Sequence, residues 1–171
     1  MVFQALGMSL SSLRDLFEER AIEKTLSQKF LLVIVTALDF MHQAGVVHTG
    51  NFPFPHNNCH RLTQRKLDLS PNNILVGTDD TALSKVEQAE ITKPSPRKIL
   101  GDRTIHLSYA MPTTYDPLSI TDFGAARLGL PGQKYTGDVM PGVFRAPEII
   151  AGMEWDSKID IWSVGVMVRI D

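Results

Sequence analysis

Apolar positions along the chain fall into two helical stretches followed by short aliphatic runs. From Leu26 they recur at Phe30, Ile34, Ala37, Leu38 and Met41, which is helical spacing, and Thr25-x-x-Gln28 has the form of a capping box. The pattern predicts a buried helix that stops at Gly45. A shorter pattern at Leu10, Leu13, Leu16 and Phe17, with Ser11 and Ser12 near its start, predicts an earlier helix of two or three turns. Val46-Val47, Ile74-Leu75-Val76 and Leu118-Ser119-Ile120-Thr121 are brief runs bounded by turn formers. They predict short strands flanking loops.

Two stretches lack usable periodicity. Residues 50–67 carry Asn51, Pro53, Pro55, Asn57 and Asn58, and residues 77–117 mix charges with Pro94, Pro96, Pro112 and Pro117. Both read as insertions or linkers. The second, at about 40 residues, exceeds an ordinary ordered loop, so a local hairpin near Thr104-Ile105-His106-Leu107 or partial disorder is expected.

Composition narrows the class. A chain of 171 residues with 43% hydrophobic side chains and a net charge of −2 suits one globular domain with a buried core, and gives no sign of a nucleic-acid binder. A single cysteine, Cys59, excludes an internal disulfide framework, and the N-terminus has no secretory pattern. An intracellular location, cytoplasm and/or nucleus, is expected. The most apolar stretch, Phe30 to Met41, is about a dozen residues, short of the roughly 20 that span a bilayer, so no membrane association is expected. His56, Cys59 and His60 lie close together but lack a fourth ligand for zinc.

The chemistry concentrates further on. Asp68-Leu69-Ser70-Pro71-Asn72-Asn73 precedes Ser119-Ile120-Thr121-Asp122-Phe123-Gly124, and then come Ala146-Pro147-Glu148 and Asp160-Ile161-Trp162. Taken singly, each Asp or Asn reads as a turn former, Phe123 as a core aromatic, Gly124 as a turn glycine and Asp160 as an N-cap. In this order and spacing they resemble the catalytic loop and activation segment of a eukaryotic protein kinase.

That resemblance implies an α+β fold: an incomplete, mainly helical C-terminal kinase lobe with short β-hairpins. It implies that Asp68 accepts the proton of an acceptor hydroxyl, that Asn73 and Asp122 hold Mg2+ against ATP, and that Phe123 packs beneath the site while Gly124 lets the segment pivot. Asp160 would tie its helix to the catalytic-loop backbone, Glu148 would pair with a distant Arg, and residues 142–145 would form part of a peptide-docking surface. Lys134 and Arg127 read as loop charges, and Tyr135 and Thr136 as solvated loop positions or phosphorylation sites.

With residues 50–67 spliced out, the chain reads Gly-Val-Val-His-Thr-Asp-Leu-Ser-Pro-Asn-Asn-Ile-Leu-Val, which is similar to the SR-protein-specific serine/threonine kinases and their fungal relatives. Thr49 then stands where an Arg is usual, implying activity without activation-loop phosphorylation. Ser70 stands where many such kinases carry Lys, implying weaker phosphate stabilisation. Met1 to Gly7 resembles the hinge between kinase lobes, so residues 1–171 are expected to be a partial kinase domain.

The insertion is expected to be a retained intron. Looping it out costs only about 2–3 kcal/mol in closure entropy, so misplacement of the catalytic groups is the greater penalty. The expected function is a protein serine/threonine kinase acting on a protein substrate, Arg/Ser-rich by resemblance, with this chain inactive alone. The alternative is a catalytically dead binding module or mis-spliced product. Oligomeric state is not indicated.

Overall fold

The computed structural model describes residues 5–50, 69–107, 114, 117–140 and 142–170. Asp68, residues 51–67 of the expected insertion with the His56, Cys59 and His60 group, and residues 1–4 of the expected hinge lie outside the described residues.

Helix α1 (Leu10–Arg14) starts at Ser9, whose hydroxyl accepts the Ser12 N–H, and it buries Leu10 and Leu13. Helix α2 (Lys24–Gln43) begins one residue before Thr25 and has Glu23 at its N-cap without a side-chain bond, so the expected capping box does not form. Thr25 is already inside the first turn. The helix ends as predicted, with Gly45 at a φ of 73° and its N–H bonded to His42 O. Only one face of α2 is buried: Ile34 and Leu38 are inside, whereas Leu32 and Phe40 are exposed. The apolar run Phe30–Met41 is therefore amphipathic in place, a correction to the buried helix predicted from it.

Strand β1 (Val46–Val47) pairs antiparallel with β6 (Arg127–Leu128), and β2 (Ile74–Leu75) pairs with β5 (Ser119–Ile120). On the other side of β2, residues 7–9 run antiparallel to 75–76 through the bonds Gly7 N to Val76 O and Val76 N to Met8 O. A Cβ on Gly7 would lie 2.8 Å from Val76 O, so glycine is what permits this approach.

The expected 77–117 insertion holds helix α3 (Asp80–Thr92) and a hairpin of β3 (Arg97–Leu100) and β4 (Arg103–His106). The hairpin matches the expectation. The helix lies where the apolar pattern predicts no regular element, because Ala82 is its one buried residue and the Asp79 cap on Ala82 N starts it.

Helix α4 (Pro147–Ile150) follows, then α5 (Lys158–Ile170). Two clusters hold these elements together. One joins Leu10, Leu13, Ile34, Leu38, Leu69, Ile74, Val76, Val164 and Met167; the other joins Val47, Val139, Met140, Ala146, Ile149, Trp155 and Ile159. Helix α5 supplies both, so it is the element on which the two halves converge. No helix among the described residues is long and apolar enough to cross a membrane.

Candidate active site

The β2–β5 pairing decides which backbone segments lie side by side. Ile74 lies opposite Ile120, so the next pair along is Asn73 and Thr121. Asn73 O accepts both the Thr121 N–H, at 2.9 Å, and the Thr121 hydroxyl, at 3.0 Å. Asp122 follows Thr121 directly. Sequence positions far apart are thereby brought to one edge, an amide from one strand and a carboxylate from the other.

Asp122 has φ 68° and ψ 57°, the left-handed region that non-glycine residues rarely enter. Aspartate is among the few side chains that tolerate it. Gly124, expected to be the pivot, is absent from the positive-φ residues, and a Cβ there would meet only Asp122 Oδ1, at 3.6 Å. The strained backbone of this segment is at the carboxylate residue itself, a location associated with functional sites.

Phe123 is 45% exposed and sets its ring against His48, with centroids 5.2 Å apart. His48 is 1% exposed, and its Nε2 lies 2.9 Å from Thr121 O. Its ring thus touches the segment on both sides of Asp122.

The loop after β1 is fixed from below. Asp160, also 1% exposed, accepts the N–H of His48 at Oδ2 and that of Thr49 at Oδ1, and its Oδ2 lies 2.9 Å from His42 Nε2. Asp160 sits inside the first turn of α5, and it is Asp156 that accepts the Lys158 N–H at the helix start. The N-cap reading of Asp160 is corrected; the tie to the loop backbone is what forms.

Thr49 and Gly50, both buried and both at positive φ, connect to the two ends of the 122–146 segment. The Thr49 hydroxyl donates to Ala125 O, and Gly50 O accepts the Met140 N–H. Met140 is left-handed as well, at φ 65°, and its carbonyl accepts from Arg145 Nε. Within residues 142–145, Val143 is exposed while Phe144 packs on the first core cluster.

Lys134 is more than a loop charge. It bonds Asp156 at 2.6 Å, beside Lys158 at 3.1 Å. Burial works against the charge on Asp156, but the bonds from Lys134 and Lys158 outweigh it and hold the carboxyl at about 2. Tyr135 exchanges backbone bonds with Trp155 and stacks on its ring, and its hydroxyl is buried. Glu148 makes no ion pair among the described residues.

What sequence reasoning missed here is the role of Thr49, Gly50 and His42. Thr49 stands out only as the replacement of a usual Arg and residue 50 only as the start of the expected insertion, so their bonds emerge from the tertiary contact alone.

Comparisons with known proteins point to one family. The family model described as the protein kinase domain matches residues 57–170. A serine/threonine protein kinase of Aspergillus fumigatus is 28% identical, over 98% of this chain and 36% of its own length. The serine/threonine-protein kinase SRPK of Physarum polycephalum is also 28% identical, over 98% of this chain and 40% of its own. The mitogen-activated protein kinase HOG1 of Wallemia sebi is 31% identical over 91% and 36%, respectively. The chain therefore spans between a third and two-fifths of the length of these relatives.

Proposed function

The chain belongs to the protein kinase family, and from that premise we propose that it carries catalytic-loop and metal-binding residues of a serine/threonine kinase that moves the ATP γ-phosphate to a protein hydroxyl. The observation that supports this reading is the pairing that sets Asn73 beside Thr121-Asp122.

An amide oxygen and a carboxylate are the hard oxygen donors that magnesium takes, and magnesium sites draw only one or two ligands from protein when nucleotide phosphates complete the shell. Asn73 and Asp122 would hold the ion, and bound Mg2+ would neutralise charge on the phosphates of ATP. Asp68 would accept the proton from the attacking hydroxyl. His48 contacts the neighbours of Asp122 on both sides, Thr121 through its carbonyl and Phe123 through its ring.

The acceptor is a protein, and the likeness to the SRPK kinase makes an Arg/Ser-rich segment the substrate to try. An intracellular setting, in cytoplasm and/or nucleus, is part of the same proposal. Residues 142–145 would form part of the surface that receives it. Taken alone, the chain is proposed to transfer phosphate poorly or not at all, since the stretch between Thr49 and Asp68 separates the loop from its base and Ser70 brings no charge to the phosphate.

Two readouts test this together: calorimetric titration with MgATP, and radiolabelled transfer from ATP to an Arg/Ser-rich peptide, each run beside Asp122→Ala. Metal-dependent nucleotide binding by the wild type that the variant loses supports the reading, with or without transfer. Equal binding by both proteins would reject it, leaving the non-catalytic module.

A further inference from the structure

The α3, β3 and β4 unit is ordered without being buried. Across residues 80–107 only Ala82 and Ser95 are inside, while Ile91, Ile99, Ile105 and Leu107 are all at least half exposed. Local bonds hold it in shape. Asp79 caps α3, Lys93 N closes the helix on Ala89 O, and the Glu90 carboxylate takes both the N–H and the hydroxyl of Ser95, which stands just before β3. A two-stranded hairpin is marginal in water by itself, so a third strand would stabilise one that is as exposed as this.

The hydrogen-bond phase identifies the open edges. Gly101, at φ 43°, and Asp102 form the two-residue turn, and Leu107 N donates to Pro96 O. Alternation along an antiparallel ladder then makes Lys98/Ile105 and Leu100/Arg103 the mutually bonded pairs. The backbone groups of Thr104 and His106 point outward from β4, and those of Arg97 and Ile99 point outward from β3.

The side chains define what would pair there. Lys98, Leu100, Arg103 and Ile105 share one face, with the cations on one diagonal and the aliphatics on the other. Arg97, His106, Ile99 and Thr104 share the opposite face. The hairpin carries Arg97, Lys98 and Arg103 against a single acid, Asp102. Along β4, Arg103, Ile105 and Leu107 alternate onto one face, with Ile105 and Leu107 each about half exposed.

We propose that the β4 edge docks an extended acidic segment of a partner protein, which adds as a third strand with an Asp or Glu beside Arg103 and aliphatic side chains over Ile105 and Leu107. Strand addition uses the outward N–H and C=O of Thr104 and His106 for affinity and the alternating side chains for selection. A nucleic-acid backbone would satisfy the cations but leave the aliphatics wet. An Arg/Ser-rich segment carries the same charge sign as the hairpin, so this surface is not a second substrate groove. The inference does not depend on phosphoryl transfer.

The test uses the full chain and fluorescein-labelled peptides of alternating Glu and Val, alternating Lys and Val, and the Glu/Val peptide broken by a central Pro, read by anisotropy. The Glu/Val peptide is expected to bind, to weaken by about tenfold or more in Lys98→Glu/Arg103→Glu, and to weaken steeply as salt rises from about 0.05 to about 0.5 M. Thr104→Pro removes an N–H that the hairpin itself does not use, and is expected to weaken binding to the same degree. The Lys/Val and Pro-broken peptides are expected not to bind. The charge-reversed variant changes only exposed side chains, so its result stands even where Thr104→Pro fails to fold. Undiminished binding by that variant, equal binding of the Lys/Val peptide, tighter binding of a single-stranded RNA, or no binding of the Glu/Val peptide would each overturn the proposal.

Discussion

Asp160 on α5 holds His48 by its backbone: the carboxylate Oδ2 lies 2.9 Å from His48 N, deep enough that Asp160 is 1% exposed. The same carboxylate takes Thr49 N and meets His42 Nε2. Three partners on one buried anion make its removal costly, because each N–H would be left without an acceptor away from water. Asp160→Ala is expected to destabilise the chain by roughly 3 kcal/mol, seen as a lowered urea midpoint at constant slope. Asp160→Asn, which keeps one acceptor oxygen, is expected to lose less. Equal midpoints for wild type and Asp160→Ala would show that the network carries no stability.

Acid should find the chain weakest at Asp156. Its folded carboxyl sits at about 2, against 3.8 in the unfolded chain, so the unfolded state binds the proton more readily. The contribution is therefore fully present above about pH 4 and is lost as the pH falls toward 2. Both lysine partners are largely exposed, which screens the pairs, and the expected size is about 1 kcal/mol. Asp156→Asn should be less stable at neutral pH and lose less additional stability between pH 4 and 2, as followed by denaturant titrations at each pH. An unchanged acid slope in that variant would assign the acid sensitivity elsewhere.

The two sides of α2 offer an internal comparison. Leu38 is fully buried, whereas Leu32 is exposed on the other face. Leu38→Ala leaves a cavity against Ile34 and α5 and is expected to cost about 3 kcal/mol; Leu32→Ala should stay within about 0.5 kcal/mol. Thermal unfolding of the two variants checks this, and a large loss at Leu32 would mean that its face is covered in solution.

How much of this was legible in the sequence depends on what fixes each element. Val46-Val47, Ile74-Leu75 and Ser119-Ile120 announce themselves, since aliphatic runs between turn formers have few other options. Strand β6 does not: Arg127 and Leu128 are exposed, and only the partner β1 makes them a strand. Helix α3 is silent because a local cap rather than an apolar stripe starts it.

At the site, Asn73 and Asp122 stand out by motif, and the strand register sets Asn73 opposite Thr121, the residue before Asp122. The tie from Asp160 to the loop came from family likeness, because local patterning at Asp160 reads as an N-cap. The bonds of Thr49 and Gly50 to Ala125 and Met140 join distant segments, which no local pattern encodes.

The left-handed backbone of Asp122 separates folding from function at a single residue. An L-residue without a short polar side chain pays roughly 1 kcal/mol to hold that conformation, while Asn and Gly adopt it readily. Asp122→Asn should fold as well as the wild type and Asp122→Gly nearly so, whereas Asp122→Ala should be less stable by about 1 kcal/mol. Metal-dependent nucleotide binding follows the other order of chemistry. All three lose the carboxylate, so all three should lose it together, irrespective of stability. Measuring unfolding midpoints and MgATP titrations on the same three proteins distinguishes a carboxylate kept for its charge from one kept for its turn. Binding that tracks stability, surviving in Asp122→Asn, would assign Asp122 a purely conformational part.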